Sequence, residues 1–180
     1  MAEPTPPEGV VSAASDADGI VIVRIFDAPR ELVFKAWTEP ARFATWFGEH
    51  GSSMPVEGVS MDPRSGGAWS ALMIHGPERI EIPFGGTFSE VIEPEVVELV
   101  LEVAGEAEEG PPEVLRAEFR DLGDGRTEMT FTQRGTLPSD EYSRAMRGSL
   151  IFFDRLAEHL VDELKSRHDG DTLKARHDSD

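Results

Sequence analysis

The sequence predicts an α+β fold, an antiparallel sheet packed on one long C-terminal helix. Three observations carry that reading. A short β-branched strand at residues 19–27 runs into two brief helical segments. Residues 54–137 then switch to period-two alternation, punctuated by glycine and proline turns. After Pro138 a long stretch carries apolar residues at helical spacing. A long amphipathic helix that follows half-polar strands buries its stripe on their inner face. Six or seven strands are expected.

Taken in order, the first strand ends at Asp27, which suits a helix cap, and Pro29 suits a first turn, where a missing N–H costs nothing. Leu32, Val33, Ala36 and Trp37 share one helical face. Glu39-Pro40 ends that helix and starts a second at 41–47, with Phe43, Trp46 and Phe47 at i, i+3, i+4. Gly66-Gly67 separates two strands. Ala68–His75 alternates, with Trp69, Ala71, Met73 and His75 on one face. Gly85-Gly86 marks a bulge or a close backbone approach before a strand at 87–92. Beyond the turn Glu93-Pro94-Glu95, residues Val97, Leu99, Leu101 and Val103 share a face, and 104–112 read as an acidic loop. Gly123-Asp124-Gly125 is a hairpin signal, and the strand after it puts Thr127, Met129, Phe131 and Gln133 on one side. In the last helix Ser139 is a candidate N-cap, and Asp140 and Glu141 suit the positive end of the dipole. Tyr142, Met146, Ser149, Phe153, Leu156, Leu160 and Leu164 form its stripe. Gly148, inside that helix, is expected to mark a close approach to the sheet, because glycine costs about 1 kcal/mol there relative to alanine.

At 180 residues the chain suits one domain, read as 19–165, with a disordered acidic arm at 1–18 and a polar flexible tail at 166–180. Cysteine is absent, which excludes disulfides and thiolate metal sites. The formal net charge of −18 repels nucleic acid and anionic membranes, so neither is an expected partner. No apolar run reaches membrane-spanning length and the N-terminus lacks a secretory pattern, so a cytoplasmic location is expected. His-x-x-x-His, Glu-x-x-His, G-x-S-x-G and phosphate-loop patterns are all missing. No catalytic set, metal or cofactor is expected.

Several groups of residues, in this order, resemble the START-related SRPBCC superfamily. They are similar above all to its AHSA1-like branch, named for activators of the heat-shock ATPase and often labelled polyketide cyclase. Arg24, Pro29, Val33, Trp37 and Trp46 match the opening of that pattern. Asp62, Gly66, Gly67 and Trp69 match its middle, the run G-T-F-S-E-V-I-E-P at 86–94 the next strand and turn, and Phe153-Asp154-Arg155-Leu156 its end. The resemblance implies a helix-grip fold, in which a curved antiparallel sheet wraps the C-terminal helix around a cavity. Many relatives carry Gly-Trp in that helix where this chain has Gly148-Ser149. That departure implies a different cavity volume.

The expected ligand shell is the aromatic and methionine set Trp69, Met73, Phe88, Phe119, Met129, Phe131, Met146 and Phe152, with Trp46 and Phe47 at the opening and Ser149 on the helix. Each of these residues also suits plain core. His75 reads either as a base or donor to a carbonyl ligand or as an exposed strand-end histidine. Glu90 reads either as an inward carboxylate partnered by Arg120 or Gln133, or as an outward strand charge. Trp37 is expected to stand aside from the ligand. The leading function is the binding of a small hydrophobic molecule, such as a lipid or a polyketide-like metabolite. A cyclase or aromatase-like enzyme using His75, Glu90, Arg120, Gln133 or Tyr142 is the alternative. A protein partner, with a role beside a chaperone ATPase, ranks third. Polar side chains converging inside the pocket would favour an enzyme, and an apolar pocket would favour a carrier or sensor.

Overall fold

The computed structural model describes residues 8–48, 51–103 and 111–177. The chain runs β1 (Val10–Asp16), β2 (Gly19–Phe26), α1 (Arg30–Thr38), α2 (Pro40–Trp46), β3 (Ser52–Ser53), β4 (Ser60–Met61), β5 (Ala68–His75), β6 (Ile80–Ile92), β7 (Val96–Val103), β8 (Glu113–Asp121), β9 (Thr127–Arg134) and α3 (Ser139–His177). Among the described residues the nine strands form one curved antiparallel sheet in the order β1-β2-β9-β8-β7-β6-β5-β3, with β4 also on β5. The helix-grip architecture is therefore as the sequence implies.

The period-two faces hold along the strands. Trp69 and Ala71 on β5, Val97 and Leu99 on β7, and Met129 and Phe131 on β9 are all buried. Gly86 sits where the backbones close up: its φ is +148°, and an added Cβ would lie 2.1 Å from the Val100 carbonyl oxygen. The bulge itself falls just beyond, between Phe88 and Glu90. β6 is longer than expected, starting at Ile80 to pair with all of β5.

Four expectations need correction. Residues 10–16 of the expected disordered arm form β1, paired with β2 through a turn in which the Asp18 N–H donates to Asp16 Oδ1 (2.8 Å). Its side chains are mostly exposed, Val11 among them. The strand is thus held by ladder hydrogen bonds that cover the β2 edge, a source of order that an apolar count does not see. Together with the two-residue strands β3 and β4, it raises the strand number above seven. The expected flexible tail continues α3 to His177, with Ser166 Oγ donating to the Asp162 carbonyl (3.0 Å) and Arg167 bonding Glu163 (3.0 Å). Residues 1–7 of the arm and 178–180 of the tail lie outside the described residues, as do 104–110 of the acidic loop. The caps also shift. Pro29, not Asp27, occupies the N-cap of α1, and α3 begins at Ser139, with the Pro138 carbonyl accepting from Glu141 and Tyr142.

The Phe-Asp-Arg-Leu run on α3 gains a physical meaning. Phe153 and Leu156 are buried core. Asp154 pairs with Arg24 of β2 at 2.6 Å, and Arg24 is only 3% exposed. Arg155 donates to the carbonyls of Gly48 (2.7 Å) and Thr45 (3.2 Å), which satisfies the end of α2. One turn of α3 thereby locks the sheet on one side and the short helices on the other.

Candidate functional site

α3 meets the sheet with two unlike surfaces. From Phe153 onward it presents Phe153, Leu156 and Leu160, each at most 2% exposed. One turn earlier it presents Ala145, Gly148 and Ser149. Small side chains at i, i+3, i+4 leave the space above the strands unfilled, and a cavity of about 350 Å³ opens there. Met73, Ile82, Phe84, Leu101, Leu115, Phe131 and Gln133, from β5 to β9, face these helix residues across it. Trp37, Phe47, Phe152 and Phe153 close its sides. The aromatic walls support one another, with ring centroids 5.1 Å apart for Phe47–Phe152 and for Phe131–Phe153, and 5.8 Å for Phe47–Phe84. Ile82 and Arg144 are exposed and mark the rim.

Three polar side chains reach this apolar lining: Gln133, Ser149 and Arg144. Arg144 pairs with Asp140 on the helix surface at 3.2 Å. Gln133 is 6% exposed, and its Nε2 donates to Glu113 Oε2 at 3.0 Å. The other oxygen of Glu113 accepts from the Thr136 N–H (2.8 Å), the Leu137 N–H (3.3 Å) and the Tyr142 hydroxyl (3.2 Å). Glu113 passes so close to Gly135 that an added Cβ there would lie 2.0 Å from its Oε1. Burial, with Glu113 alongside, pushes the Tyr142 phenol above its ordinary value, so it remains a proton donor to that carboxylate. Ser149 is 8% exposed, and among the described residues it has no hydrogen-bond partner. Ser143 and Ser166 on the same helix do bond the carbonyl four residues back.

Of the sequence candidates, Phe47, Met73, Phe131, Gln133, Ser149 and Phe152 lie on the cavity wall. The others do not. Trp46 is fully buried beside Trp37, and its Nε1 donates to the Ala36 carbonyl (2.9 Å), so it marks no opening. Trp69 is spent on the Val100 carbonyl (3.1 Å) and packs on Phe43 and Phe84. Phe88 and Met129 are fully buried, and Phe119 packs on Phe34 and Trp37. Met146 is half-buried off the lining. His75 continues the Met73 face past the lining, opposite Ile80. Glu90 is an outward charge: it bonds Arg116 (2.5 Å), which also holds Glu98 (2.9 Å) and Glu118 (2.8 Å). The partners expected for Glu90 are engaged elsewhere, Arg120 with Glu128 and Gln133 with Glu113. Gly148 makes no close approach, since an added Cβ would meet nothing within 4 Å. Trp37 is no bystander. It lines the cavity, and its buried Nε1 has no hydrogen-bond partner. Four further sheet residues of the wall lie outside the sequence candidates: Ile82 and Phe84 share the Phe88 face of β6, Leu115 shares the Phe119 face of β8, and Leu101 shares the Val97–Leu99 face of β7.

Among the described residues no three His, Asp or Glu side chains converge where a metal would sit, and no helix is long and apolar enough to cross a membrane.

A family model described as Activator of Hsp90 ATPase homolog 1-like protein matches residues 27–161. Solved structures agree in fold. A crystal structure of a protein from Chromobacterium violaceum superposes with a TM-score of 0.70 at 21% identity, covering 79% of this chain and 96% of that one. A solution structure from Arthrobacter aurescens gives 0.70 at 22% identity, covering 85% and 92%. The AHSA1 protein of Silicibacter pomeroyi gives 0.69 at 19% identity, covering 79% and 97%. No functionally curated protein gives a significant sequence match.

Proposed function

We propose that this chain, which belongs to the Activator of Hsp90 ATPase homolog 1-like family, binds a small hydrophobic molecule between its sheet and α3. The observation that carries the proposal is the cavity under Ala145, Gly148 and Ser149, walled by aromatic rings and touched by few polar groups. A volume of about 350 Å³ lies at the small end of ligand sites, which run from about 300 to 1,000 Å³. That size favours a compact ring system over a two-chain lipid. The candidate acids and bases do not gather there. His75, Glu90 and Arg120 lie off the lining, and Tyr142 is spent on Glu113. This arrangement supports a carrier or sensor over a cyclase.

The test is a titration with flat apolar molecules, read by the side-chain N–H signals of the three tryptophans. Trp37 should respond first, because it alone of the three lines the cavity. Micromolar binding that shifts Trp37 supports the proposal. Saturating additions that leave Trp37 unmoved sink it.

A further inference from the structure

The proposed cavity holds one polar group whose orientation is fixed from behind. Gln133 Nε2 donates to Glu113 Oε2 at 3.0 Å, and a carboxylate oxygen only accepts. Turning the amide over would set oxygen against oxygen. Glu113 cannot swing away to allow it, because Thr136, Leu137 and Tyr142 all bond its other oxygen. Gln133 Oε1 is therefore held as an acceptor. Among the described residues it has no partner, and it is not one of the side-chain atoms sealed from contact. The residue is 6% exposed and lines the cavity, so the contact it retains belongs there. Ser149 Oγ is in the same condition on the opposite wall: buried residue, no partner, not sealed.

An apolar ligand would leave both atoms desolvated and unpaired, at a cost that a ligand with a matching donor avoids. We infer, resting on the binding function proposed above, that the cavity selects a compact aromatic molecule carrying a hydroxyl. That hydroxyl donates to Gln133 Oε1, while Ser149 supplies a second polar partner. Glu113 is a positioning residue for this recognition, since it touches Gln133 and not the ligand. The surrounding rings suit the flat body of such a molecule.

Three probes of one shape test this: 2-naphthol, 2-methoxynaphthalene and 2-methylnaphthalene. Affinities are measured from the Trp37 N–H shift in the natural chain and in Gln133→Met, which keeps length and removes the acceptor. The ratio of 2-methylnaphthalene to 2-naphthol dissociation constants cancels each probe's own hydrophobicity when compared between the two proteins. That ratio should fall roughly three- to tenfold in Gln133→Met, the range of one neutral hydrogen bond. The methoxy probe, which cannot donate, should behave as the methyl probe does. An unchanged ratio, or a methoxy probe that loses as much as naphthol, overturns the assignment. A crystal structure of the 2-naphthol complex reads the same contact without mutation: the ligand oxygen should lie within hydrogen-bond distance of Gln133 Oε1, and any other placement overturns it. If none of the three probes binds, the cavity-binding function fails. If 2-methylnaphthalene binds and the ratio does not move, only the hydroxyl assignment fails.

Discussion

The two ends of the sheet meet the same helix and finish differently. At one end Trp69, Phe88, Val97, Phe119 and Met129 are all at most 3% exposed, and α1, α2 and the Leu156–Leu160 turn of α3 cover this end. At the other end Met73, Ile82, Phe84, Leu101, Leu115 and Gln133 lie on the same strand faces, four to six residues along, and look into open volume. The strands do not differ in kind. What differs is the helix above them, large side chains over one end and Ala145, Gly148 and Ser149 over the other. A core packs to crystal-like density wherever side chains can reach across, so three small residues are enough to leave a hole. The filled end supplies stability and the hollow end supplies space.

The largest effect should come from the filled end. Trp69→Ala removes a ring that touches Phe43 and Phe84 and a hydrogen bond to Val100, and should cost about 3–5 kcal/mol in urea unfolding. Phe152→Ala, at the hollow end, removes a half-buried ring that already borders empty volume, and should cost clearly less. Equal losses would mean that the two ends are not energetically distinct.

Second in size is a change that converts one end into the other. Ser149→Trp places a large side chain into the hole and should weaken binding of a naphthalene probe at least tenfold, about 1.4 kcal/mol, without lowering the unfolding midpoint by a comparable amount. Undiminished affinity would show that the probe binds elsewhere. Gly148→Ala should act in the same place on a smaller scale. Nothing lies within 4 Å of the added methyl, so the ordinary helix preference of about 1 kcal/mol should appear as a gain in melting temperature. A loss would restore the close approach that the sequence alone suggests.

These cases show what the sequence could and could not disclose. Period-two alternation told which residues face inward, and it was right for Trp69, Phe88 and Phe119 as it was for Phe131 and Gln133. It carries no information on depth along the strand, so it could not tell the filled end from the hollow one. That boundary is set by residues far away in sequence, on α3. The sign was present in Gly148-Ser149, but a glycine in a helix reads equally as tight contact and as open space. Large aromatics dominate such a reading, yet Leu101, on the same rung as Trp69 through Gly86, and Leu115 line the hole while Trp69 does not. β1 was missed for a different reason: its order comes from main-chain pairing at an edge, and pairing leaves little mark on composition.

The smallest effect belongs to the clasp between α2 and α3, on the outer surface of the covered end. Arg42 of α2 bonds Glu39 and Glu163, and His159 Nε2 lies 3.4 Å from Glu163 Oε2, with Asp162 beside them. Burial pushes the His159 imidazole below its ordinary 6.5; Glu163 and Asp162 oppose that and Arg42 reinforces it. The Glu163 carboxyl, which burial alone would raise, is held below its ordinary 4.5 by hydrogen bonds from Arg42 and Arg167. A lowered histidine means that below pH 6.5 the unfolded chain takes up a proton that the folded chain resists, so stability falls as pH falls through that window and is complete above it. Glu163 adds its own loss only near and below 4.5. The urea midpoint should therefore drop on going from about pH 7.5 to about 5.5, and His159→Gln should flatten part of that drop, because the substituted side chain does not titrate. The cavity lies away from this clasp, so naphthalene affinity should stay level across the same range. Identical pH slopes in the two proteins would remove His159 from the account, and an affinity that tracked the midpoint would tie the hollow end to the filled one.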